Sequence, residues 1–333
     1  MKDKLWIVLQ TPEQKGGIEE FSENLASALR DRFNISFIYL HAPNSRYSDQ
    51  VVQLNKKWPI KIRRLLMRWV VKRRDYVVFN QPGHLKYLNR DTDKVYLVVH
   101  SPSEIDKFEM MNGLPQLKLL CVANHIIAHL NKFKHQKLLI TPPISSCQPS
   151  TAQYDGTFRF LYLGRLSPEK GLSKAIELLA RIATINSALQ MSFTMFGEGG
   201  EKANLERQIN TLDLENLQIE IKPWVPRDQI CNLFKDYDFY LGLSQIEGMP
   251  IAVREAMSAG IIPVVSDIPA HQEIVNQGVN GFIVDDTVCA EDYLLLLEDK
   301  DKINAMREQA IATVQQHQMQ NFQDQVITIF NLK

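Results

Sequence analysis

Two glutamates lie eight positions apart in the stretch SQIEGMPIAVREAMSAG, residues 244–260. Glu247 falls in a loop after the apolar run FYLGL, and Glu255 falls inside the helix predicted to start after Pro250. A carboxylate can accept hydrogen bonds from vicinal sugar hydroxyls, while the free amides of a helix N-terminus can hold a phosphate or sugar oxygen. At about 1.5 Å per residue, Glu255 lies about 7.5 Å beyond Pro250, which matches the step from a glycosyl group across a diphosphate to a ribose; two solvated surface acids are the alternative. The residues at this N-terminus are Gly248, Met249, Pro250 and Ile251.

Cations and glycines follow other predicted strands. Arg165 and Lys170 stand five apart in LYLGRLSPEKG, around a strand-to-helix turn. Arginine offers a bidentate fork and lysine a point charge, so the pair suits a diphosphate, although two solvated surface cations are the alternative. Gly16 and Gly17 after the first strand, and Gly197 in MFGEGGE, would let a ligand approach the backbone closely, or would simply form tight turns. No strand–GxGxxG–helix with a ribose-binding acid is present, which disfavours a nicotinamide enzyme.

Apolar runs alternate with helical patterns along the whole chain. The predicted strands are KLWIVLQ, NISFIYLH, DYVVFNQ, VYLVVHS, LLCVANH, KLLITPPI, FRFLYLGRL, MSFTMFGEGG, LQIEIKPWV, DFYLGLS, IIPVVSDI and GFIVDD. Strands that alternate with helices indicate two doubly wound parallel α/β sheets. Ligands of such sheets bind beyond the carboxyl ends of the strands, which is where the glutamates, cations and glycines above are predicted to lie.

Length and composition limit the number of domains and the class of protein. The 333 residues are 45% hydrophobic, and the length suggests two domains of about 150 residues each. The longest apolar runs are far short of the roughly 20 residues that span a bilayer, and the first residues indicate a strand rather than a signal peptide. Four scattered cysteines without a CxxC motif favour reduced thiols in a cytosolic protein, with a disulfide or zinc site as the alternative.

The net charge of zero hides a division between the halves. Residues 1–150 hold 23 Lys and Arg against 13 Asp and Glu, a net charge of +10, and the rest of the chain carries −10. Residues 56–74 contain nine Lys or Arg interleaved with apolar residues that include Trp58 and Trp69, as in an interfacial membrane binder. A nucleic-acid patch and a plain solvated helix are the alternatives, and no RNA-binding motif accompanies the segment. The predicted membrane-binding residues are Arg63, Arg64, Arg68, Lys72, Arg73 and Arg74.

Glu247, seven intervening residues and Glu255 form the EX7E pattern. The ordered motifs GRLSPEKG, FGEG, WV, SQIEGMPIAVREAMSAG, PVVSD and NGFIV resemble those of the retaining family 4 glycosyltransferases, closely over residues 158–285. In the other half only KGG and VVHS align. The resemblance implies a GT-B fold, with two Rossmann-like doubly wound domains facing a central cleft. It divides the chain into an acceptor- and membrane-facing domain (1–147), a nucleotide-sugar-binding domain (155–312) and a helix (313–333) that crosses back, anchored by Phe322.

The resemblance also implies a role for each candidate residue. The donor would be a UDP- or GDP-sugar, whose diphosphate contacts Arg165 and Lys170 while the amides of Gly16 and Gly17 close from the other domain. The transferred sugar would contact Glu247, the ribose would contact Glu255, and residues near Trp224 and Val225 would flank the base. Gly197 would belong to the donor-binding residues through its turn. His100 would lie near the reacting sugar, although a packing role for this histidine fits the sequence equally.

The implied reaction is retaining transfer by a hexosyltransferase-type enzyme to a glycan or lipid-linked acceptor, in bacterial surface polysaccharide or lipopolysaccharide synthesis. Cations stabilise the charge that develops on the leaving diphosphate, and we assign no protein general base, no cofactor and no metal. Asp91-Thr92-Asp93 resembles the DxD motif of metal-dependent transferases, but it precedes a strand in the other half and is predicted to be structural. We expect a cytoplasmic protein, peripheral on the inner face of the membrane, with no nucleic-acid partner. A nucleotide-sugar epimerase of the same fold and a non-catalytic sugar-nucleotide-binding subunit are the alternatives.

Overall fold

The computed structural model describes residues 2–11, 17–42, 46–47, 50–88, 91–103, 111, 113–145, 147–149, 157–284, 299–315 and 319–331. Gly16 and Cys289 lie outside these residues. The chain forms two compact units, which are Met1–Pro143 together with Met319–Lys333, and Ile144–Gln318. Each unit is a parallel α/β sheet with helices, as the alternation of strands and helices predicts.

The first unit contains an eight-stranded sheet in the order β3-β4-β2-β1-β5-β6-β7-β8. All of its pairings are parallel except β3 with β4, and these two short strands were not predicted from the sequence. β4 carries only five residues with partly exposed side chains at alternate positions, so it lacks the long apolar run that marks the buried strands. The strands are β1 (Asp3–Leu9), β2 (Phe33–Ala42), β3 (Arg46–Tyr47), β4 (Val51–Asn55), β5 (Tyr76–Phe79), β6 (Lys94–Val99), β7 (Leu117–Cys121) and β8 (Gln136–Leu139).

The helices of the first unit bury one apolar stripe each. The helix α1 (Gly17–Leu29) buries Phe21, Leu25 and Leu29, which recur every four residues. The last helix of the chain, Met319–Ile329, buries Phe322, whose ring centroid lies 5.9 Å from that of Phe21. The other helices are α2 (Ile60–Val70) and α3 (Asn124–His129).

The second unit contains a six-stranded sheet in the order β11-β10-β9-β12-β13-β14, and every described pairing is parallel. The chain runs from β9 outward to β11 on one side and then returns to β12 on the other side. The carboxyl ends of β9 and β12 therefore form the topological switch point, where open α/β sheets bind their ligands. The strands are β9 (Thr157–Leu163), β10 (Gln190–Phe196), β11 (Leu217–Lys222), β12 (Phe239–Gly242), β13 (Ile262–Ser266) and β14 (Phe282–Val284).

The helix α7 (Ile251–Ser258) carries the second glutamate of the EX7E pattern. It buries Val253, Ala256 and Met257 along with its polar residues, which explains its small and apolar composition. The chain leaves it through Gly260, whose φ of 78° favours glycine. The other helices of this unit are α4 (Leu172–Ile185), α5 (Lys202–Asn210), α6 (Ile230–Leu233), α8 (Pro269–Gln272) and the helix Lys300–Val314. Across the described part of the chain, no helix has the length and apolar character needed to cross a bilayer.

Candidate functional site

Two loops meet at the carboxyl ends of β9 and β12. The Gln245 N–H donates to the Glu169 carbonyl oxygen at 2.8 Å. Gly171 has a φ of 64° and packs so closely that a Cβ atom there would lie 2.0 Å from the Leu243 carbonyl oxygen. Only glycine combines a positive φ with the absence of a Cβ atom. Gly171 therefore fixes the loop that presents Lys170 against the loop that presents Glu247.

Lys170 and Glu247 form an ion pair at this switch point. The Lys170 Nζ lies 2.6 Å from Glu247 Oε1, and both side chains are mostly buried, with 16% and 19% exposure. The Ser244 hydroxyl donates to the same carboxylate oxygen at 2.7 Å. The carboxylate is thereby oriented and its charge is compensated, so the surface-acid and surface-cation alternatives are wrong for Glu247 and Lys170.

A second layer of polar residues supports Glu247. The Ser266 hydroxyl donates to the Ser244 carbonyl oxygen, and His271 Nδ1 lies 2.9 Å from the Ser266 carbonyl oxygen. Because a carbonyl only accepts, Nδ1 of His271 carries the hydrogen. Burial lowers the pKa of His271, and the Lys170 charge acts in the same direction while Glu247 acts against it. Sequence reasoning missed these three residues, although Ser266 ends β13, where site residues are expected, and His271 lies in α8, which follows that strand.

Glu255 is 3% exposed, so the surface-acid alternative is also wrong at this position. Its Oε1 atom lies 2.5 Å from a terminal guanidinium nitrogen of Arg227. The Ser145 N–H donates to the same oxygen at 3.3 Å. The carboxylate predicted to bind a ribose therefore already has two donors inside its own unit. Arg227 was not predicted, although it follows the WV motif by two residues, because only Trp224 and Val225 of that stretch were given a role.

Cys147 and Cys231 form a disulfide, with their Cα atoms 5.1 Å apart. The prediction of four reduced thiols is wrong for this pair, and the cysteine argument for a cytosolic location falls with it. Cys121 is a buried free thiol. The Cys147 N–H donates to Ser258 Oγ at 3.2 Å, and the Ser258 hydroxyl donates to the Glu255 carbonyl oxygen at 2.7 Å. The disulfide thus joins the two chain segments that supply the donors to Glu255.

Arg165 stands on the loop that carries Lys170, but its side chain is 73% exposed and lies 3.5 Å from Glu169. The nearby glycine-rich turn has a structural reason of its own. A Cβ atom at Gly197 would lie 1.8 Å from the Gly164 carbonyl oxygen, so glycine is needed for the loops after β9 and β10 to meet. The predicted contacts of Arg165 and Gly197 with a donor stay predictions.

The N-terminus of α7 offers fewer amides than the sequence suggested. Pro250 has no N–H group, and the Ile251 N–H donates to the Met249 carbonyl oxygen at 2.9 Å. The amides of Gly248 and Met249 are the ones that remain for a ligand. Two further residues predicted to flank a base, Trp224 and Val225, follow β11, where Trp224 is 57% exposed and Val225 is partly buried.

The remaining predicted site residues belong to the first unit. Gly17 is the exposed first residue of α1. His100 follows β6, its Nε2 atom lies 3.2 Å from Asn80 Oδ1, and its ring lies edge-on to Phe21 at a centroid distance of 5.3 Å. Desolvation by these neighbours lowers the pKa of His100 to about 4. The ring therefore has the contacts of a packing histidine, and its catalytic role stays a prediction.

The Asp91-Thr92-Asp93 motif lies just before β6. Asp93 pairs with Arg73 at 3.2 Å, and both side chains are exposed. Thr92 is buried. Within the described residues, no three His, Cys, Asp or Glu side chains are grouped closely enough to hold a metal ion.

The basic segment contains the helix α2, whose two faces differ. On the inner face an Arg63 guanidinium nitrogen donates to the Leu40 carbonyl oxygen at 3.2 Å, and Arg64 Nε donates to the Lys86 carbonyl oxygen at 2.6 Å. On the outer face Ile62, Leu65 and Trp69 are 45%, 68% and 70% exposed. Arg73 pairs with Asp93, and the Lys72 Nζ donates to the Trp69 carbonyl oxygen, so four of the six predicted membrane-binding cations have partners within the unit. Arg68, Lys72 and Arg74 are exposed.

Residues 147–313, half of the chain, match the family model described as glycosyl transferases group 1. A GDP-mannose:cellobiosyl-diphosphopolyprenol alpha-mannosyltransferase of Xanthomonas campestris is 34% identical over 125 residues, which cover 37% of this chain and 32% of that enzyme. An O-antigen biosynthesis glycosyltransferase of Escherichia coli, WbnH, is 27% identical over 241 residues, which cover 71% of this chain and 59% of that protein. The chain therefore spans between one third and three fifths of the length of these relatives.

Solved structures show the same fold. Anabaena Alr3699/HepE, solved in complex with UDP and glucose, superposes with a TM-score of 0.78 over 99% of both chains, at 17% sequence identity. At this identity the likeness shows the fold alone. Together with the two parallel sheets, it confirms the predicted pair of Rossmann-like α/β domains.

Proposed function

This chain belongs to the group 1 glycosyl transferases, and we propose that it is a retaining, metal-independent transferase that uses a nucleoside diphosphate sugar as donor. The acceptor is a glycan or lipid-linked glycan, in the assembly of a bacterial surface polysaccharide. The observation that carries the proposal is the arrangement at the switch point of the second sheet. There a paired Lys170 and Glu247 lie in the same unit as the buried Glu255, within the segment that matches the family.

The chemistry of this arrangement suits the proposed reaction. Cleavage of the bond between the anomeric carbon and the phosphate places negative charge on the leaving diphosphate. Lys170, Arg165 and the amides of Gly248 and Met249 stabilise that charge electrostatically, which is usually the largest catalytic term. Glu247 accepts hydrogen bonds from the transferred sugar, and Glu255 exchanges Ser145 and Arg227 for the ribose hydroxyls. The acceptor's proton passes to the departing phosphate, so no protein base is needed.

The first experiment is a thermal-shift panel of nucleoside diphosphate sugars on the wild type, Glu255→Gln and Glu206→Gln. Glu206 is an exposed acid on α5 and serves as the charge-matched control. A donor at 100 times its dissociation constant stabilises the native state by about 2.7 kcal/mol, which the assay detects. We expect one sugar nucleotide to stabilise the wild type and Glu206→Gln, and Glu255→Gln to lose most of that stabilisation. Failure of the whole panel to stabilise the wild type would contradict the proposal.

Products then separate the proposal from its alternatives. Transfer or slow hydrolysis with retained anomeric configuration, unchanged by a chelator, supports the proposal, and NMR of the released sugar gives the configuration. An isomerised donor in the absence of acceptor would instead establish an epimerase. Binding without turnover of any candidate acceptor would indicate a non-catalytic subunit.

We also propose that α2 binds an anionic membrane surface. Its exposed stripe of Ile62, Leu65 and Trp69 recurs at helical spacing, and Arg68 stands beside it. A helix with apolar residues on one face and basic residues around them lies in the interface plane of a membrane, and each cation near an anionic leaflet contributes about 1 kcal/mol.

Vesicle sedimentation tests the membrane proposal. Leu65→Ser with Trp69→Ser is expected to lower binding to phosphatidylglycerol vesicles at least tenfold, and Arg68→Gln to lower it less and only at low salt. Ile185→Ser removes an exposed apolar side chain of the second unit (47%) and is the control. Unchanged binding of the double variant would remove α2 from the membrane interface.

A further inference from the structure

The first sheet has a switch point of its own, at the carboxyl ends of β2, β1 and β5. β1 lies between β2 and β5, so the chain reverses its direction across the sheet here. His41 lies near the end of β2. Its backbone N–H donates to the carbonyl oxygen of Gln10, which follows β1, at 2.8 Å. His84 lies in the 3₁₀ turn Pro82–Tyr87 that follows β5. Two histidines therefore occupy the edge at which open α/β sheets bind ligands.

Two cations lie beside these histidines, and we call His41, Arg63, His84 and Lys86 the edge cluster. The His41 and His84 ring centroids are 6.0 Å apart. The centre of the Arg63 guanidinium and the Lys86 Nζ each lie 5.2 Å from the ring centroid of Tyr87. Burial lowers the pKa of His41, and the charges of Arg63 and Lys86 lower it further. The pKa of His84 falls to about 4 from burial, with His41 and Lys86 as further causes. The edge cluster is thus a region of positive potential.

No acid balances this potential among the residues that the structure describes. Ion pairs in the described part of the chain join other cations, such as Lys170, Arg227 and Arg307, to carboxylates. None of these pairs involves Arg63 or Lys86. Cations gathered at a ligand edge without carboxylates are typical of anion sites, and arginine in particular suits phosphate oxygens.

Two buried nitrogens of the edge cluster also have no hydrogen-bond partner. They are Nδ1 of His84, a residue with 4% exposure, and Nε of Arg63. Buried polar atoms are almost always satisfied, and an exception indicates a functional constraint, a bound ion or an ordered water. An anion seated against Arg63 would lower the energy of the unpaired guanidinium nitrogen and would favour protonation of the neighbouring histidines.

The helix α2 connects the edge cluster to the outer apolar stripe. The bonds from Arg63 to Leu40 and from Arg64 to Lys86 fix its inner face to the sheet edge. Leu65 and Trp69 project from the other face. A lipid whose headgroup is a phosphate could therefore place that phosphate against the inner face while its chain stays with the outer face.

We propose that the edge cluster is the acceptor's phosphate site, which holds the phosphate or diphosphate that links the acceptor glycan to its lipid. His41, Arg63 and Lys86 contact the phosphate oxygens, and His84 supports them from behind. The proposal rests on the proposed function, because it names the acceptor class of that same reaction. The phosphate site goes beyond the proposed function because it assigns a second anion site to the first unit.

The test uses inorganic pyrophosphate as the probe and the full chain with Lys170→Met as the background, so that donor-site binding is weakened. Lys86→Gln, and Arg63→Gln with Lys86→Gln, are compared with Lys132→Gln. Lys132 is the matched control because it is an exposed cation of the same unit that also lies over an aromatic ring, 5.4 Å from the Phe133 centroid. We expect pyrophosphate to move the NMR titration of His41 to higher pH, Lys86→Gln to weaken binding about tenfold, and Lys132→Gln to leave binding unchanged.

A second arm separates a lipid phosphate from a free one. Vesicles of neutral lipid are doped either with a long-chain alkyl diphosphate or with phosphatidylglycerol at equal charge. Lys86→Gln is expected to reduce binding to the first vesicles about tenfold and to leave binding to the second within twofold. Equal losses on both vesicles would show a general membrane cation, and pyrophosphate binding without diphosphate-lipid binding would show a site for a free anion. Either result overturns the acceptor assignment, whereas a failed donor panel with an intact second arm overturns only the proposed donor chemistry.

Discussion

The two sheet edges of this member of the group 1 glycosyl transferases differ in how their charges are arranged. At the edge of the second sheet each glutamate has a cation beside it, Lys170 at 2.6 Å from Glu247 and Arg227 at 2.5 Å from Glu255. At the edge of the first sheet, the edge cluster has no carboxylate partner among the described residues. A site that holds both signs can offer carboxylates to hydroxyl donors and cations to a phosphate, so that each buried charge keeps a partner when a ligand replaces the internal one. A site that holds one sign is completed by a ligand of the other sign.

Removal of Lys170 is the strongest test of this difference between the two sheet edges. Lys170→Met leaves the mostly buried Glu247 without its cation and the leaving diphosphate without a point charge. We expect kcat for transfer or donor hydrolysis to fall about 10²–10³-fold, the usual effect of losing one preorganised electrostatic group. Lys174→Met, an exposed change on α4, is the control. Lys86→Met at the other edge should instead raise the acceptor KM, and a kcat loss equal to that of Lys170→Met would show that the two edges do not have separate tasks.

Reduction of the disulfide sharpens the comparison, because only the second edge has a covalent support among the described residues. Cys147 and Cys231 are 84 residues apart in sequence, and a native disulfide of this kind stabilises a protein by about 2–4 kcal/mol. Cys147→Ser with Cys231→Ser is expected to lower the melting temperature by several degrees and to weaken donor binding, since Ser145 and Arg227 lose their tether. Dithiothreitol should lower the wild type to the same melting temperature and leave the double variant unchanged. Alkylation of both cysteines without a reductant would contradict the disulfide.

Lowering the pH should reduce the stability of the first unit, because two of its histidines have lowered pKa values. The pKa values of His84 and His100 are about 4 in the folded chain, below the value of about 6.5 for an unperturbed histidine. Between these values the unfolded chain binds more protons, so the free energy of unfolding falls as the pH drops from about 6.5 to 4 and then levels off. Each histidine contributes up to about 3 kcal/mol to this fall.

Urea unfolding at pH 7, 6 and 5 measures this loss. We expect His84→Gln to flatten the dependence, and His129→Gln, an exposed change in the same unit, to leave it as in the wild type. His271 of the second unit has a lowered pKa and shares the sign, so His271→Gln should flatten the dependence as well. Pyrophosphate should reduce the acid sensitivity if it binds the edge cluster. A stability that does not change between pH 7 and pH 5 would contradict the lowered pKa values.

The features that were predictable from the sequence are those set by local patterns. Long apolar runs predicted the buried parallel strands, and the rule that ligands bind at strand carboxyl ends singled out Lys170 and Glu247 from their sequence positions alone. The short β3 and β4 escaped prediction because an edge pair needs no apolar run. The pairings of Arg227 with Glu255 and of Cys147 with Cys231 join residues 28 and 84 apart, and no local pattern encodes such contacts.

The helix α2 shows the same limit of prediction from local sequence within a single element. Its sequence predicted a basic amphipathic helix, but arginines stand on both faces, so the pattern could not tell which of them would turn inward. The contacts of Arg63 with Leu40 and Tyr87 decide this, and they depend on β2 and on the turn after β5, both outside the local sequence of the helix. The edge cluster was invisible for the same reason, because its four residues come from three separate segments.

The smallest expected effect concerns the acidic motif that lies at neither ligand edge. Asp93 directly precedes β6, so it stands at the amino end of its strand, and its partner Arg73 is 74% exposed. Exposed ion pairs are worth about 0–1 kcal/mol, so Asp93→Asn should change the free energy of unfolding by no more than this. Donor turnover should stay unchanged with magnesium or with a chelator. A turnover loss that magnesium restores would place a metal function at Asp93 and would undo the view that this chain confines its chemistry to the carboxyl edges of its two sheets.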